Sequence, residues 1–217
     1  VGLPILTLND AVMKIGFKNV RSIALGISLM TIFADSKERY AEAYRMIFCH
    51  SFAVGVIANH IAELADHEVE KEAFIAGLLH DIGQLVINKY FNEDYVRIRD
   101  EYQKGKFLVD AEREVLGVSH ADIGLWLADK WNLPAVLQDA IFYHHRPKDA
   151  PNNRKTVAVV HLANVLAERR SIGLFGAMGP CDQLDYSVFD TLGITERNLQ
   201  LIETRLDPKT LVTELFD

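Results

Sequence analysis

The residues of this sequence best suited to chemistry are its histidines, and their placement is uneven. His80-Asp81 closes the apolar run Phe74–Leu79 and precedes Ile82-Gly83. Polar, ligand-type side chains at the end of an apolar helix are costly unless something partners them. His50 lies thirty residues upstream, His120 follows Ser119 at a helix start, and His144-His145 ends another helix. His161 and Asn164 share a face of the next helix, at i and i+3. Imidazole and carboxylate together suit borderline and first-row metals. His50, His80, Asp81, His120, His144 and His145 therefore make a candidate site for a divalent transition metal such as Fe, Mn, Ni or Zn. Taken singly, His60, His67 and His161 read as partly buried, hydrogen-bonded side chains of helices.

These candidates are scattered along the chain, so several elements must converge to bring them together. Helix bundles build metal sites in this way, with ligands projecting inward from facing helices. Strand signals are nearly absent, and apolar residues recur at three- and four-residue spacing almost throughout. The fold class expected is all-α, a helical bundle. Thr7 caps a helix over Leu8–Ile15, and Asn19 caps one to about Phe33. Asp35 and Glu38 have capping-box spacing and open a long helix to about Ala65. Further helices are expected over Val69–Leu79, after Gly83, and over Glu93–Lys104. Others span Ala111–Leu116 with Gly117 as C′, Ser119 to Trp131, Ala135–His144 with Pro134 in the first helical position, and Arg154–Arg170. Short helices finish the chain at Tyr186–Thr191, Glu196–Leu206 and Pro208–Leu215. No linker divides the sequence, so residues 1–217 read as one domain. Pro147–Asn153 is the one stretch whose composition suggests disorder.

Other chemistries find little support. Cys49 is beside His50, but adjacent helical residues point about 100° apart and make no nucleophile–base pair. Cys49 and Cys181 are far apart in a cysteine-poor chain, as in a reduced, cytoplasmic protein. The glycine-rich stretch 173–180 has no lysine and no Gly-x-Gly-x-x-Gly spacing, which argues against a phosphate cradle. The net charge of −7, from 23 basic and 30 acidic residues, argues against nucleic acid as a partner. No run approaches eighteen uninterrupted apolar residues, and the first thirty carry polar breaks, so neither a membrane span nor a signal peptide is expected.

Gly77-Leu78-Leu79-His80-Asp81-Ile82-Gly83 resembles the signature of the HD superfamily of metal-dependent phosphohydrolases. The block Glu114–Gly124, then Trp131-Asn132-Leu133-Pro134, then His144-His145-Arg146-Pro147, is similar to the HD-related output domain, HDOD. The opening, Leu8–Leu25, resembles the helix pair that precedes the HD-like half of that family. This resemblance implies an HD-like helical bundle comprising the C-terminal HD-like part and the end of an N-terminal helical part. A further helical segment is then expected before residue 1. The Asn19–Phe33 helix is apolar over most of its circumference, and either that segment or a second copy of the chain is expected to cover it.

In catalytic relatives, the resemblance implies, one metal is held by a His, the His-Asp doublet and a later Asp. His50, His80 and Asp81 match the first three. The last falls in an Ala-Asp pair that here reads Ala163-Asn164, so a carboxylate has become a neutral amide. The cyclic-dinucleotide phosphodiesterase branch has lysine where this chain has Gln84, and its Gly-Tyr-Pro signature is absent. His120, His144 and His145 match that branch's second-metal histidines. A weakened metal site without its phosphate-contacting cation implies a non-catalytic signal-transduction module. Such a module would bind signalling proteins or a small ligand in a degenerate pocket; the alternative is a residual metal-dependent phosphohydrolase.

Overall fold

The computed structural model describes residues 41–65, 69–172 and 179–205, together with Ser28. Among these residues the regular structure is helical, with no strand. The expected helices at Leu8–Ile15, Asn19–Phe33 (Ser28 apart) and Pro208–Leu215, the Asp35–Glu38 capping box, the covering of the Asn19–Phe33 helix, and His67 lie outside the described residues.

The first helix, α1 (Ala41–Ala65), packs antiparallel on α2 (Glu70–Leu79). The two backbones meet at glycines: a Cβ on Gly77 would lie 2.8 Å from the Gly55 Cα, and one on Gly55 would lie 2.9 Å from the Phe74 carbonyl oxygen. His50 and His80 sit about one turn from this crossing, on α1 and at the end of α2. By length and composition Glu42–Ala65 could cross a membrane. In this structure it is a core helix, with Val54, Ile57, Ala58, Ile61 and Ala62 fully buried.

The chain breaks at His80-Asp81 and restarts as α3 (Ile82–Tyr90). Next come α4 (Asn92–Gln103), α5 (Leu108–Leu116) and α6 (His120–Lys130). The helix α5 begins three residues earlier than its sequence pattern suggests, and Gly117 ends it in the left-handed conformation, φ 79°. Ser119 caps α6, and its box partner is Asp122. Helix α7 (Ala135–Tyr143) starts after Pro134, which is extended at ψ 145° and thus outside the first helical turn. The stretch 147–153, loose by composition, opens with a 3-10 turn at Pro147–Asp149 and buries Pro147 and Ala150.

At the centre is α8 (Arg154–Arg169), buried without interruption from Thr156 to Ala167. A helix buried on every face must be apolar all round, so His161 and Asn164 in its middle need partners. The short helices α9 (Ser187–Leu192) and α10 (Glu196–Arg205) follow, with Val188, Leu192, Ile194 and Ile202 joining the apolar cluster formed by α1 and α8. A second cluster joins α2 through α7, including Leu79, Leu85, Ile98, Leu137 and Ile141.

Candidate metal centre

Asp81 is the hub. Its Oδ2 lies 3.6 Å from His50 Nε2, and its Oδ1 lies 3.5 Å from His80 Nε2, 3.2 Å from His120 Nε2 and 3.6 Å from His144 Nε2. His145 Nε2 completes the group at 2.9 Å from His120 Nε2. Two sets of donors result: His50, His80 and Asp81, and Asp81, His120, His144 and His145, each with donor atoms within 4.8 Å of one another. The carboxylate is common to both.

The other face of each ring explains why the Nε2 atoms converge. His50 Nδ1 is 2.6 Å from the Ile172 carbonyl, His80 Nδ1 2.7 Å from that of Gly77, and His144 Nδ1 2.8 Å from that of Ile141. A carbonyl only accepts, so each Nδ1 carries a proton and each ring turns Nε2 toward the centre, a bare nitrogen in His80 and His144, which burial keeps neutral. His120 Nδ1 donates to Glu112 at 2.7 Å, and His145 Nδ1 donates to Asp182. Orienting hydrogen bonds of this kind fix the tautomer and raise the basicity of a metal ligand. His80 Nε2 is fully buried with no hydrogen-bond partner. An unpartnered buried acceptor costs about 1–3 kcal/mol, and a cation between these rings would remove that cost. The donors present therefore fit one or two divalent transition-metal ions.

Charge in the centre is unevenly spread. Burial alone would raise the Asp81 carboxyl, but His80, His120 and His50 outweigh it and hold it well below the usual carboxylate range. Burial lowers His80 to about 4 despite the Asp81 charge. Burial, together with His145 and His80, keeps His144 well below its ordinary value. His120 is the exception: against the pull of burial, Glu112 and Asp81 raise it well above the ordinary value. Its Nε2 proton fits the short approaches to Asp81 and His145, and a metal would have to displace that proton.

Three acids that sequence reasoning did not single out complete the surroundings. Glu112, fully buried, accepts from the His120 backbone N–H at 2.8 Å, from its ring, and from the Gln84 amide. It interrupts the apolar stripe of Leu108 and Leu116 at i±4, and an acid on such a stripe is a readable signal. Gln84, expected in the pocket, is thus tied up against Glu112 and only 1% exposed. Asn164 donates through Nδ2 to Asp182 at 3.1 Å and to Glu168 at 3.3 Å, while its buried Oδ1 has no partner. It reaches the other site residues through Asp182, which holds His145. Burial, with the Asp182 and Asp81 charges, pushes Glu168 up to about 8. Glu168 extends the His161–Asn164 face by one turn, which was a legible cue, whereas Asp182 lies in irregular backbone ahead of α9 and had none. His161 is structural: its Nδ1 donates to the His144 carbonyl at 2.6 Å, and its Nε2 accepts from the Asp185 N–H at 3.0 Å.

The HDOD domain family matches residues 1–147. The chain belongs to the HDOD family. The crystal structure of an HDOD domain protein of unknown function from Geobacter sulfurreducens superposes with a TM-score of 0.72 at 27% identity, covering 99% of this chain and 72% of that one. An uncharacterized protein of Treponema pallidum (strain Nichols) is 26% identical over 174 residues, which is 74% of this chain and 31% of that protein. Ribonuclease Y of Aquifex aeolicus (strain VF5) is 29% identical over 164 residues, 75% of this chain and 24% of that enzyme. This HDOD chain thus spans a third or less of the length of these two curated relatives. Glu168 and Asp182 lie beyond the matched span, so the centre draws on residues outside it.

Proposed function

We propose that this chain is a signal-transduction module that holds a divalent transition metal in its His–Asp centre and acts by binding, without turnover. The observation that carries this reading is Asn164. Where the superfamily resemblance implies a carboxylate, an amide donates to two acids, Asp182 and Glu168. A bound ion would be held by His50, His80 and Asp81, or by Asp81, His120, His144 and His145. It would supply Lewis acidity and positive charge to a phosphoryl or carboxylate oxygen. The chain's own groups orient the donors through Glu112 and Asp182 and keep water out of a buried centre. Signalling proteins or a small ligand are the partners we assign. We place the protein in the cytoplasm, where both Cys49 and Cys181 would stay free as they are here.

A second reading, metal-dependent phosphohydrolase, draws on the Asp81 carboxylate lying between the two donor groups, an arrangement suited to a two-metal site. Metal analysis of protein purified without chelator, combined with assays on cyclic dinucleotides and nucleotide phosphates, separates the two. We expect bound metal and no hydrolysis. Metal-dependent hydrolysis abolished by Asp81→Ala would replace the first reading with the second. Protein that neither retains nor takes up Zn or Mn would overturn the metal assignment.

A further inference from the structure

Beside the metal centre lies a cavity of about 280 Å³, and His145 and Asp182 form part of its wall. Arg113, from the last turn of α5, and Arg146, just after α7, line it together with Phe107 and Phe142. Neither guanidinium has an ion-pair or hydrogen-bond partner among the described residues. Against burial, the Ser119 hydrogen bonds, with the Arg113 and Arg146 charges, hold the Asp122 carboxyl below its ordinary value. Asp122 makes no ion pair with either; its Oδ2 accepts from the Ser119 N–H at 2.9 Å and from the Ser119 hydroxyl. Of the two acids on the wall itself, Asp182 is engaged by His145 and Asn164, and Asp110 is exposed in the first turn of α5.

Arg146 is also held in place. Its guanidinium lies 4.5 Å from the centroid of the Phe142 ring and 5.6 Å from that of Tyr143. Cation–π stacking fixes the plane without using the N–H donors, so the donors remain free at the edge. A planar fork held in this way matches a phosphate oxygen pair better than a flexible ammonium does. The volume is near the lower end of ligand pockets, about 300–1,000 Å³, which suits one small phosphate ester and not a dinucleotide.

We propose that this cavity binds a phosphomonoester of about the size of a nucleoside monophosphate, with its phosphate held between Arg113 and Arg146 and directed toward His145. The cations come from positions other than 84, where Gln84 is committed to Glu112. The proposal rests on the binding-module reading above and names its ligand class.

The test is calorimetric titration of the full chain, zinc-loaded and chelator-treated, with AMP, inorganic phosphate, adenosine and malonate. AMP should bind more tightly than phosphate, and adenosine should not bind measurably. Arg113→Ala and Arg146→Ala should each weaken AMP at least about tenfold, as expected for loss of a charge-assisted contact. Arg146→Lys should also weaken it, since it keeps charge but loses the fork. Arg113 is exposed and Arg146 half-buried, so the variants should keep the parent melting temperature, measured alongside. AMP binding that is absent, unchanged in both alanine variants, or no tighter than malonate binding overturns the proposal. Chromatography of the titrated AMP separates this outcome from failure of the parent reading. Asp81-dependent conversion to adenosine would overturn the binding-only reading, while arginine-dependent AMP affinity would still support the ligand class.

Discussion

Asn164→Asp restores the carboxylate implied by the superfamily, and the surroundings of Asn164 determine what that would do. Its Nδ2 is 3.1 Å from Asp182 and 3.3 Å from Glu168. An aspartate there would replace two attractive N–H contacts with oxygen facing oxygen. Two unit charges about 3 Å apart repel by about 5 kcal/mol at an effective dielectric near 20. The alternative is for the new group to take up a proton, which at pH 7 costs about 4 kcal/mol for a carboxyl whose ordinary value is near 3.9. The cheaper route wins, so without metal the variant should be less stable by up to about 4 kcal/mol at pH 7, falling to about 1.5 kcal/mol at pH 5. The sign follows from proton counting: the folded variant holds a proton that the unfolded chain has released, so its stability falls as pH rises. Urea melts in chelator at pH 5 and pH 7 read this difference directly. Divalent metal should recover more stability in the variant than in the parent, since a cation offsets the added charge. A variant as stable as the parent at pH 7 in chelator would refute the placement of the Asn164 amide between two acids.

Glu112→Gln should weaken metal binding about 10- to 100-fold, the usual cost of losing an orienting partner, because an amide cannot accept from both His120 and Gln84; unchanged affinity in a zinc titration would contradict the role given to Glu112. Glu168 is raised to about 8, so the folded chain keeps a proton there that the unfolded chain loses near the ordinary value of 4.5. Its contribution therefore makes stability fall as pH rises from about 5 to 8, and Glu168→Gln should flatten that fall in chelator-treated protein; an identical pH profile would count against it. Gly83→Ala should cost several kcal/mol or prevent folding, since its Cβ would run into the His120 backbone carbonyl where α3 crosses α6. A thermal melt within a few degrees of the parent would show that this crossing can open.

Much of the helix set was legible because the apolar period of 3.6 runs through sequence and structure alike. The Ser119 cap and the Gly117 stop fall where their side-chain chemistry requires. The start of α5 was missed because Leu108 and Val109 enter the helix without a capping side chain at Phe107. The His80-Asp81 doublet was conspicuous because it breaks an apolar run, and the structure shows why it sits at a break: the chain leaves α2 at His80 and restarts after Asp81, whose φ of −101° and ψ of 20° are not helical. Asp182 was illegible, because only tertiary folding brings it to His145 across 37 residues.

The missing carboxylate at position 164 also changes meaning once its neighbours are known. From sequence it removes one negative charge from the centre. In the fold the amide sits against Asp182, whose carboxyl is held down by His145 despite burial, and Glu168, whose carboxyl is pushed up. Charge at this end of the centre is therefore supplied by Asp182, one layer further from the Nε2 donors than a ligand at position 164 would be, and it orients His145. A centre built in this way keeps its donors aligned without metal, because each of the five imidazoles that face Asp81 or His120 is anchored through Nδ1. Anchoring by protein groups makes the pocket's shape insensitive to whether an ion is present. That property would serve the binding role proposed above, in which the cavity at Arg113 and Arg146 persists between binding events.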